Sequence, residues 1–264
     1  MPKRIQRLKV VPTLTLDQAE KEFAGLRLGD DHYDQLVTDN LLGVLPSGEI
    51  KFLFLRDVLL PDAPQQVWEH LRPLPFGQGQ RMYSFQQQGS SGGGLVMGWL
   101  PERRGSRVTL TKASRWNPVV YGFLLPQLAG AASYELKTYL PKIWHEQKAR
   151  AKKNGHRVIA SGIYSTAQLN KNLRFPAHAD ARNERGSLAA LMAFGPFGGG
   201  ALVLPRLRVA FQLRPGDLLL ADTNRELHGN LPIYGERIAV IFFLKDLRDR
   251  KAGKPALPYK TVEA

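Results

Sequence analysis

His178 and Asp180 stand two residues apart, His228 follows fifty residues later, and Arg237 nine after that. Imidazole nitrogens and a carboxylate oxygen are ligands for a divalent transition metal. Two His and one carboxylate, with open positions left on the ion, form the ligand set of non-haem Fe(II) oxygenases. Side chains two apart on a strand share a face. An H-x-D at a strand end therefore points both groups at one ion, and a His on a facing strand closes the triangle. The spacing alone is weak, because the chain has six His and a lone His is often a surface or satisfied core residue. The order H-x-D, distant H, then Arg before an apolar run is what makes the set worth pursuing.

The elements that must hold these residues are short. Leu188–Phe194, Ala201–Leu204, Val209–Leu213, Leu218–Ala221 and Ile238–Leu244 are apolar runs broken by Gly and Pro. Such runs at regular spacing predict a β-sandwich or barrel. Upstream, Thr15-Leu-Asp-Gln18 is a capping box. It opens a helix of about ten residues with Ala19, Phe23 and Leu26 on one face. Asp30 and Asp31 open a polar connection. Leu41–Leu45 and Ile50–Leu55 read as strands around the Pro46-Ser47-Gly48 turn. Asp62 caps a helix whose apolar face is Val67, Trp68 and Leu71, and Val108 and Leu110 alternate as in a strand. Ser133 to Lys153 reads as helix with Leu136, Leu140, Ile143 and Trp144 inward, broken or kinked at Pro141. Asn154-Gly155 then turns into a strand, Val158–Tyr164. Up to Leu71 these elements read as an outer supporting layer without chemistry.

Lys and Arg number 37 against 23 Asp and Glu, a net charge of +14. A chain this basic commonly meets a polyanion, nucleic acid first. The absence of Cys excludes disulfides, zinc–thiolate sites and cysteine nucleophiles. No apolar run is long enough to span a bilayer, and the basic N-terminus lacks a signal-peptide core. The expectation is a monomer that is neither secreted nor membrane-bound, cytoplasmic or, in a eukaryote, nuclear. Gln86–Gly94, rich in Gln and Gly, reads either as a surface loop or as a segment that fills a duplex after a base is flipped out. In the second reading Gln86, Gln87 and Gln88 reach base edges. Arg103, Arg104, Arg107, Lys112 and Arg115 are candidate phosphate contacts. At the end of that stretch Trp116 offers a stacking surface and Asn117 a base-reading amide, or else Trp116 is core and Asn117 caps the turn before Pro118. Lys148, Lys152 and Lys153 belong to a run without acids, Gln147–Arg157. That run is a solvated face and a further candidate for phosphate contact.

The finer pattern narrows the chemistry. Gly195-Pro-Phe-Gly-Gly-Gly-Ala-Leu-Val-Leu-Pro205, Arg214-Pro-Gly-Asp217, His228-Gly-Asn230 and Gly235-Glu-Arg237, with Thr166–Asn172 upstream, resemble the TET/JBP family of 2-oxoglutarate/Fe(II)-dependent nucleic-acid dioxygenases. The likeness is greatest to its compact bacterial, phage and fungal members. The specific match covers the last hundred or so residues; the first part fits only in the order of its elements. The resemblance implies a mainly β (α+β) chain with a double-stranded β-helix (jelly-roll, cupin-like) core and supporting N-terminal helices. The whole would be one dioxygenase domain. Residues 1–12 are a basic arm, 13–155 support and DNA-contact elements, 156–246 the core with the iron site, and 247–264 a surface tail.

It further implies Fe(II) on His178, Asp180 and His228, with 2-oxoglutarate and dioxygen as cosubstrates. Arg237 would bind the far carboxylate of 2-oxoglutarate with its planar fork, and Arg174 is a second candidate for it, or for a phosphate. Many relatives place Ser two residues after this Arg. Here Ala239 stands there, a lost hydrogen bond worth ~0.5–1.5 kcal/mol that a hydroxyl such as Tyr164 or Ser165 could replace. The implied partner is double-stranded DNA carrying a methylated base, and the implied reaction is oxidation of the 5-methyl of 5-methylcytosine, with Asn117 and Asn230 as candidate readers of the base. Thymine hydroxylation in DNA is the alternative within the fold. A protein or small-molecule hydroxylase and a catalytically weak DNA-binding module are alternatives of other kinds.

Overall fold

The computed structural model describes residues 3–77, 92–102, 107–160 and 162–247. Its strands, in chain order, are β1 (Gln6–Lys9), β2 (Gln35–Val37), β3 (Leu41–Val44), β4 (Ile50–Leu55), β5 (Gly93–Pro101), β6 (Val108–Leu110), β7 (Thr166–Lys171), β8 (Ala189–Phe194), β9 (Phe197–Gly199), β10 (Leu202–Leu204), β11 (Val209–Phe211), β12 (Leu218–Ala221), β13 (Gly229–Asn230), β14 (Ile233–Gly235) and β15 (Ile238–Phe243). Helices occupy Leu16–Phe23, Ala63–Leu71, Lys112–Trp116, Leu125–Tyr139 and Pro141–Lys152. None of the described helices is long and apolar enough to cross a membrane.

Period-two alternation decides which way each strand of the large sheet faces. On β15, Ile238, Val240 and Phe242 are fully buried in one core cluster with Ala167 and Leu169 of β7, Ala190, Met192 and Phe194 of β8, Leu218 and Leu220 of β12, and Leu53 and Leu55 of β4. The helices Ala63–Leu71 and Leu125–Tyr139 cover this face with Val67, Trp68, Leu71, Leu128, Ala132 and Leu136. The opposite face carries Phe52, Phe54, Ala193, Leu219 and Ala221. These pack against Leu202, Leu204, Val209 and Phe211 of a second sheet. Each of the Val, Leu, Ile, Phe and Met side chains among these contributes roughly 1.5–3 kcal/mol on burial, and a slip of one residue in any inner strand would exchange its two faces.

The large sheet runs β1-β3-β4-β12-β8-β15-β7-β5-β6, and the smaller one β13-β10-β11-β2. Pairing is antiparallel except β1 with β3 and β2 with β11. A further ribbon joins β9 to β14. Two facing, mostly antiparallel sheets with helices on the outer face of one make the double-stranded β-helix expected from the sequence.

Several local expectations change. The N-terminal arm contains a strand, because Gln6–Lys9 pairs in register with Leu41–Val44. The supporting layer is no outer shell: β3 and β4 lie in the large sheet and β2 in the small one. Thr15 forms its capping box with Gln18, but the helix ends at Phe23 and Leu26 lies beyond it, half exposed. Asp62 precedes its helix without a capping hydrogen bond. The chain does break at Pro141, yet the preceding helix starts at Leu125, not at Ser133. Val158–Tyr164 is not a strand. Ile159 N–H donates to Tyr164 O at 2.8 Å, closing a turn before β7. At the C-terminus, Leu247 is fully buried, so the segment begins as core rather than as surface tail.

One glycine ties the core to the head of β15. Gly195 has φ +112°, and a Cβ there would lie 2.3 Å from the Glu236 carbonyl and 2.8 Å from the Trp68 ring. Overpacking of this kind costs typically ~1–3 kcal/mol, and the positive φ adds to it. Gly195→Ala should therefore lower the thermal midpoint by several degrees. A midpoint within a degree of the parent would show that the Trp68 helix yields freely.

Candidate metal centre

His178 and His228 lie opposite each other in an isolated antiparallel bridge. His178 N–H donates to His228 O at 3.0 Å, and His228 N–H to His178 O at 2.9 Å. The bridge puts both imidazoles on one side, with ring centroids 4.5 Å apart. Each ring is then fixed by the carbonyl two residues before it: His178 Nδ1 to Pro176 O at 2.9 Å, and His228 Nδ1 to Glu226 O at 3.1 Å. A carbonyl has no proton to give, so each Nδ1 carries the hydrogen and each Nε2 presents a lone pair.

Both lone pairs converge on Asp180. His178 Nε2 is 3.9 Å from Asp180 Oδ1, and His228 Nε2 is 3.8 Å from Oδ2. One ligand atom from each of the three residues lies within 4.8 Å of the others. Asp180 is held by its own N–H on Thr223 O at 2.8 Å, and Asn224 Nδ2 donates to Asp180 O at 3.2 Å. His228 is buried, whereas the His178 side chain is 40% and that of Asp180 30% exposed, so the cluster opens to solvent on one side. Burial, and then His178, hold the His228 imidazole well below its ordinary pKa, against the pull of Asp180. It is therefore neutral at physiological pH, the form that binds a metal. Neutral Nε2 donors with one carboxylate suit Fe(II).

Arg237, immediately before β15, is buried. Its N–H donates to Asn172 Oδ1 at 2.8 Å and one guanidinium nitrogen donates to Gly200 O at 2.6 Å. Gly200 is required here. Its φ is +66°, and a Cβ would meet the guanidinium at 2.4 Å. Arg237 Nε is buried without a hydrogen-bond partner, and no carboxylate among the described residues pairs with the side chain. Burial pushes its pKa down to about 10, which still leaves it charged. A buried cation without an anion is costly, and a carboxylate-bearing ligand is what it lacks. The residues present thus fit both an iron ion and an anionic cosubstrate.

Other expected site residues are placed as follows. Arg174 donates to Leu28 O at 2.8 Å, and its Nε is also buried and unpartnered. Burial and Arg27 pull its pKa down, while Tyr234 acts the other way. Arg115, Lys148, Lys152 and Lys153 are exposed. Trp116 is 67% exposed, so it is not core, and Lys112 Nζ lies 3.9 Å over its ring. Arg103, Arg104, Gln86, Gln87 and Gln88 fall outside the described residues, and Gly93 and Gly94 start β5.

Three expectations are corrected. Asn117 is not at a strand end; it follows the helix Lys112–Trp116, and its Nδ2 donates to Ala113 O at 2.9 Å. Asn230 Oδ1 accepts from Phe175 N–H at 2.8 Å and its Nδ2 donates to Leu231 O. Its carboxamide is spent on the backbone. Neither Tyr164 nor Ser165 can stand in for a hydroxyl at Ala239. β15 pairs with β7 from Ile238–Lys171 to Phe243–Thr166, which leaves both beyond the far end of β15 from Arg237, on the order of 20 Å away at the strand rise. The residue directly opposite Ala239 is Asn170.

The profile of the Tet_JBP family, described as the oxygenase domain of the 2OGFeDO superfamily, matches residues 103–246. The bifunctional helicase and thymine dioxygenase JBP2 of Leishmania infantum is 37% identical over 93 residues, 33% of this chain and 8% of the relative. That of Trypanosoma cruzi is 34% identical over 97 residues, 34% of this chain and 9% of the relative. The chain thus spans less than a tenth of the length of these relatives. Among solved structures, NgTET1 in complex with 5mC DNA superposes with a TM-score of 0.65 at 16% identity, covering 89% of this chain and 90% of that one. At that identity the likeness speaks for the fold.

Three donors on one ion make a direct test. His228→Ala and Asp180→Ala should each abolish high-affinity Fe(II) binding, measured anaerobically by calorimetry, and leave the circular dichroism spectrum unchanged. Fe(II) binding retained by His228→Ala would remove that residue from the ligand set.

Proposed function

The chain belongs to the Tet_JBP family of 2-oxoglutarate/Fe(II) oxygenase domains, and on that footing we propose that it oxidises the 5-methyl group of a pyrimidine in DNA, 5-methylcytosine first. Membership makes Fe(II) and 2-oxoglutarate its cofactors. The observation that carries the reading is a buried guanidinium, Arg237, without a counter-ion among the described residues, in a chain that also holds a His–Asp–His cluster. That pairing suits a cosubstrate with a carboxylate at its far end.

In this reading His178 and His228 hold the metal through Nε2 and Asp180 through its carboxylate. The two Nδ1–carbonyl bonds keep the rings in the ligating tautomer. Arg237 binds the distal carboxylate of 2-oxoglutarate, and Arg174 supports it or a substrate phosphate. Bound there, iron and 2-oxoglutarate would supply dioxygen activation, the cosubstrate losing CO2 and taking one oxygen atom to become succinate while the other oxygen atom enters a substrate C–H bond as hydroxyl. The chain's own part is to aim the methyl group and to keep water from the buried side of the site.

DNA as the substrate rests on different observations. The charge is +14, and Arg115, Lys148, Lys152 and Lys153 are exposed. Trp116 projects into solvent with Lys112 over its ring, an aromatic and basic combination suited to nucleic acid. NgTET1 was solved with 5mC DNA, which favours 5-methylcytosine. The sequence relatives are named thymine dioxygenases, which favours thymine as the second reading. A methyl group inside a stacked duplex cannot reach an enclosed metal, so either base must leave the stack.

The test is nucleoside mass spectrometry after incubation of methylated duplex DNA with the protein, Fe(II) and 2-oxoglutarate. 5-Hydroxymethylcytosine supports the first reading, 5-hydroxymethyluracil the second, and neither product would sink both. Arg237→Lys should raise the KM for 2-oxoglutarate, because a point charge replaces a bidentate fork; an unchanged KM would pass the role to Arg174. If about five Lys and Arg side chains meet phosphates, log affinity should fall against log salt with a slope of roughly −4 to −5. Replacing Lys148, Lys152 and Lys153 by Glu should flatten that slope, and salt-independent binding would count against DNA.

A further inference from the structure

Lys51 is a lysine in the middle of the protein. It is the second residue of β4, 1% exposed, and its ammonium meets three carboxylates: Glu49 Oε1 at 2.8 Å, Asp222 Oδ2 at 3.0 Å and Glu226 Oε1 at 3.0 Å. Glu226, also 1% exposed, is gripped from its other side by Arg206, Nε to Oε2 at 2.8 Å and a terminal nitrogen to Oε1 at 2.5 Å. Arg225 closes the rim on Glu49 at 2.9 Å. Three cations thus face three anions. Burial alone would push the Lys51 ammonium down, but Glu49, Asp222 and Glu226 outweigh it and hold the pKa above its ordinary value. Burial would likewise raise the Glu226 carboxyl, yet Arg206 and Lys51 keep it below the usual range.

A buried ionic cluster is a poor way to gain stability, since well-packed apolar side chains often serve as well or better. Its location gives it another use. The two carboxylates belong to the turn Asp222–His228. The turn is pinned at its start by Asp222 N–H on Lys51 O at 3.0 Å and closed by Glu226 N–H on Asp222 O at 3.0 Å. Its other side faces the metal centre. Thr223 O takes the Asp180 N–H, Asn224 Nδ2 donates to Asp180 O, and Glu226 O takes the His228 Nδ1–H. The turn therefore has ions on one side and two of the three candidate ligands on the other.

We propose that Lys51, Asp222, Glu226 and Arg206 form a positioning device for the metal centre, fixing the Asp222–His228 turn so that the Thr223 and Glu226 carbonyls set Asp180 and His228. The proposal rests on the reading that His178, Asp180 and His228 hold the metal. Lys51 touches no ligand side chain; it acts through the turn. Outer partners of metal ligands typically govern affinity by 10–100-fold.

The experiment is titration of the full chain with Co(II), followed by its visible absorption and so independent of turnover. Lys51→Met keeps the length of the side chain and removes the charge; it should weaken Co(II) binding by about 10–100-fold. Arg206→Lys keeps the charge and loses the fork, and should weaken it in the same direction by less. Leu71→Ala, a core truncation in the helix Ala63–Leu71, serves as a control for lost stability and should leave Co(II) affinity at the parent value. Unchanged affinity in folded Lys51→Met or Arg206→Lys would overturn the proposal, as would an equal loss in Leu71→Ala. If Lys51→Met does not fold, Arg206→Lys alone decides. A parent that binds no Co(II), or one whose binding survives His228→Ala, overturns the metal reading and the proposal with it. Parent binding that His228→Ala abolishes and Lys51→Met leaves intact overturns the proposal alone.

Discussion

Two reciprocal backbone hydrogen bonds between His178 and His228 are the constraint on which the centre depends. They join segments fifty residues apart and set both imidazoles at one distance from a shared carboxylate. A bridge of this kind fixes direction but not distance along the chain. That is supplied by β13, which follows His228 and pairs with β10, and by Asp180 N–H on Thr223 O. Both imidazoles thus take their orientation from main-chain carbonyls, and the Asp180 backbone is held from the Thr223–Asn224 turn. The half-exposed His178 and Asp180 can stay ordered without being buried.

Arg237 shows the opposite economy. Its backbone is secured by Asn172 and its guanidinium by a single carbonyl, with Nε left bare. By alternation Arg237, one residue before β15, shares a face with Ala239, opposite to Ile238 and Val240. Around Ala239 the cross-strand neighbours are Ala193, Asn170 and, one strand further, Gly94. Three of these four positions carry a methyl group or less, so the sheet presents little bulk beside a cation with spare donors. Where many relatives place a serine, the polar neighbour here is Asn170, whose Oδ1 is already taken by Gln168 Nε2 at 2.9 Å.

What was legible in the sequence was what repeats or has a fixed spacing. Leu218–Ala221 and Ile50–Leu55 were readable to the residue because they are apolar runs bounded by turn residues, and the H-x-D, His, Arg series pointed to the candidate centre. The same logic failed for Val158–Tyr164, whose apolar residues serve a turn and the core cluster, and for Gln6–Lys9, a polar strand held by its neighbour's backbone. Asn230 looked like a base reader because an amide in a sequence carries no sign of what it already bonds. Lys51 was invisible for a related reason. Its partner Asp222 lies 171 residues away, and a lysine in an apolar strand has no pattern to announce that carboxylates await it.

The charges of the centre explain how its parts belong together. As metal ligands both imidazoles bind in the neutral form, so the triad would bring a single negative charge, that of the Asp180 carboxylate. Arg237 adds one positive charge in a buried position. A divalent ion on the triad would bring the sum to two positive charges, an excess that is costly on the buried Arg237 side. A dicarboxylate that reaches from the metal to Arg237 cancels both. Neither loaded alone balances the site: the ion leaves Arg237 without its anion, and the dianion without the ion adds to Asp180. Lys245 lies at the edge of this count. Burial holds its ammonium below the ordinary lysine range while Asp180 attracts it and Arg182 repels it. Lys245 and Arg182 are thus cations beyond that balance, a surplus that favours an anionic substrate such as the DNA proposed above.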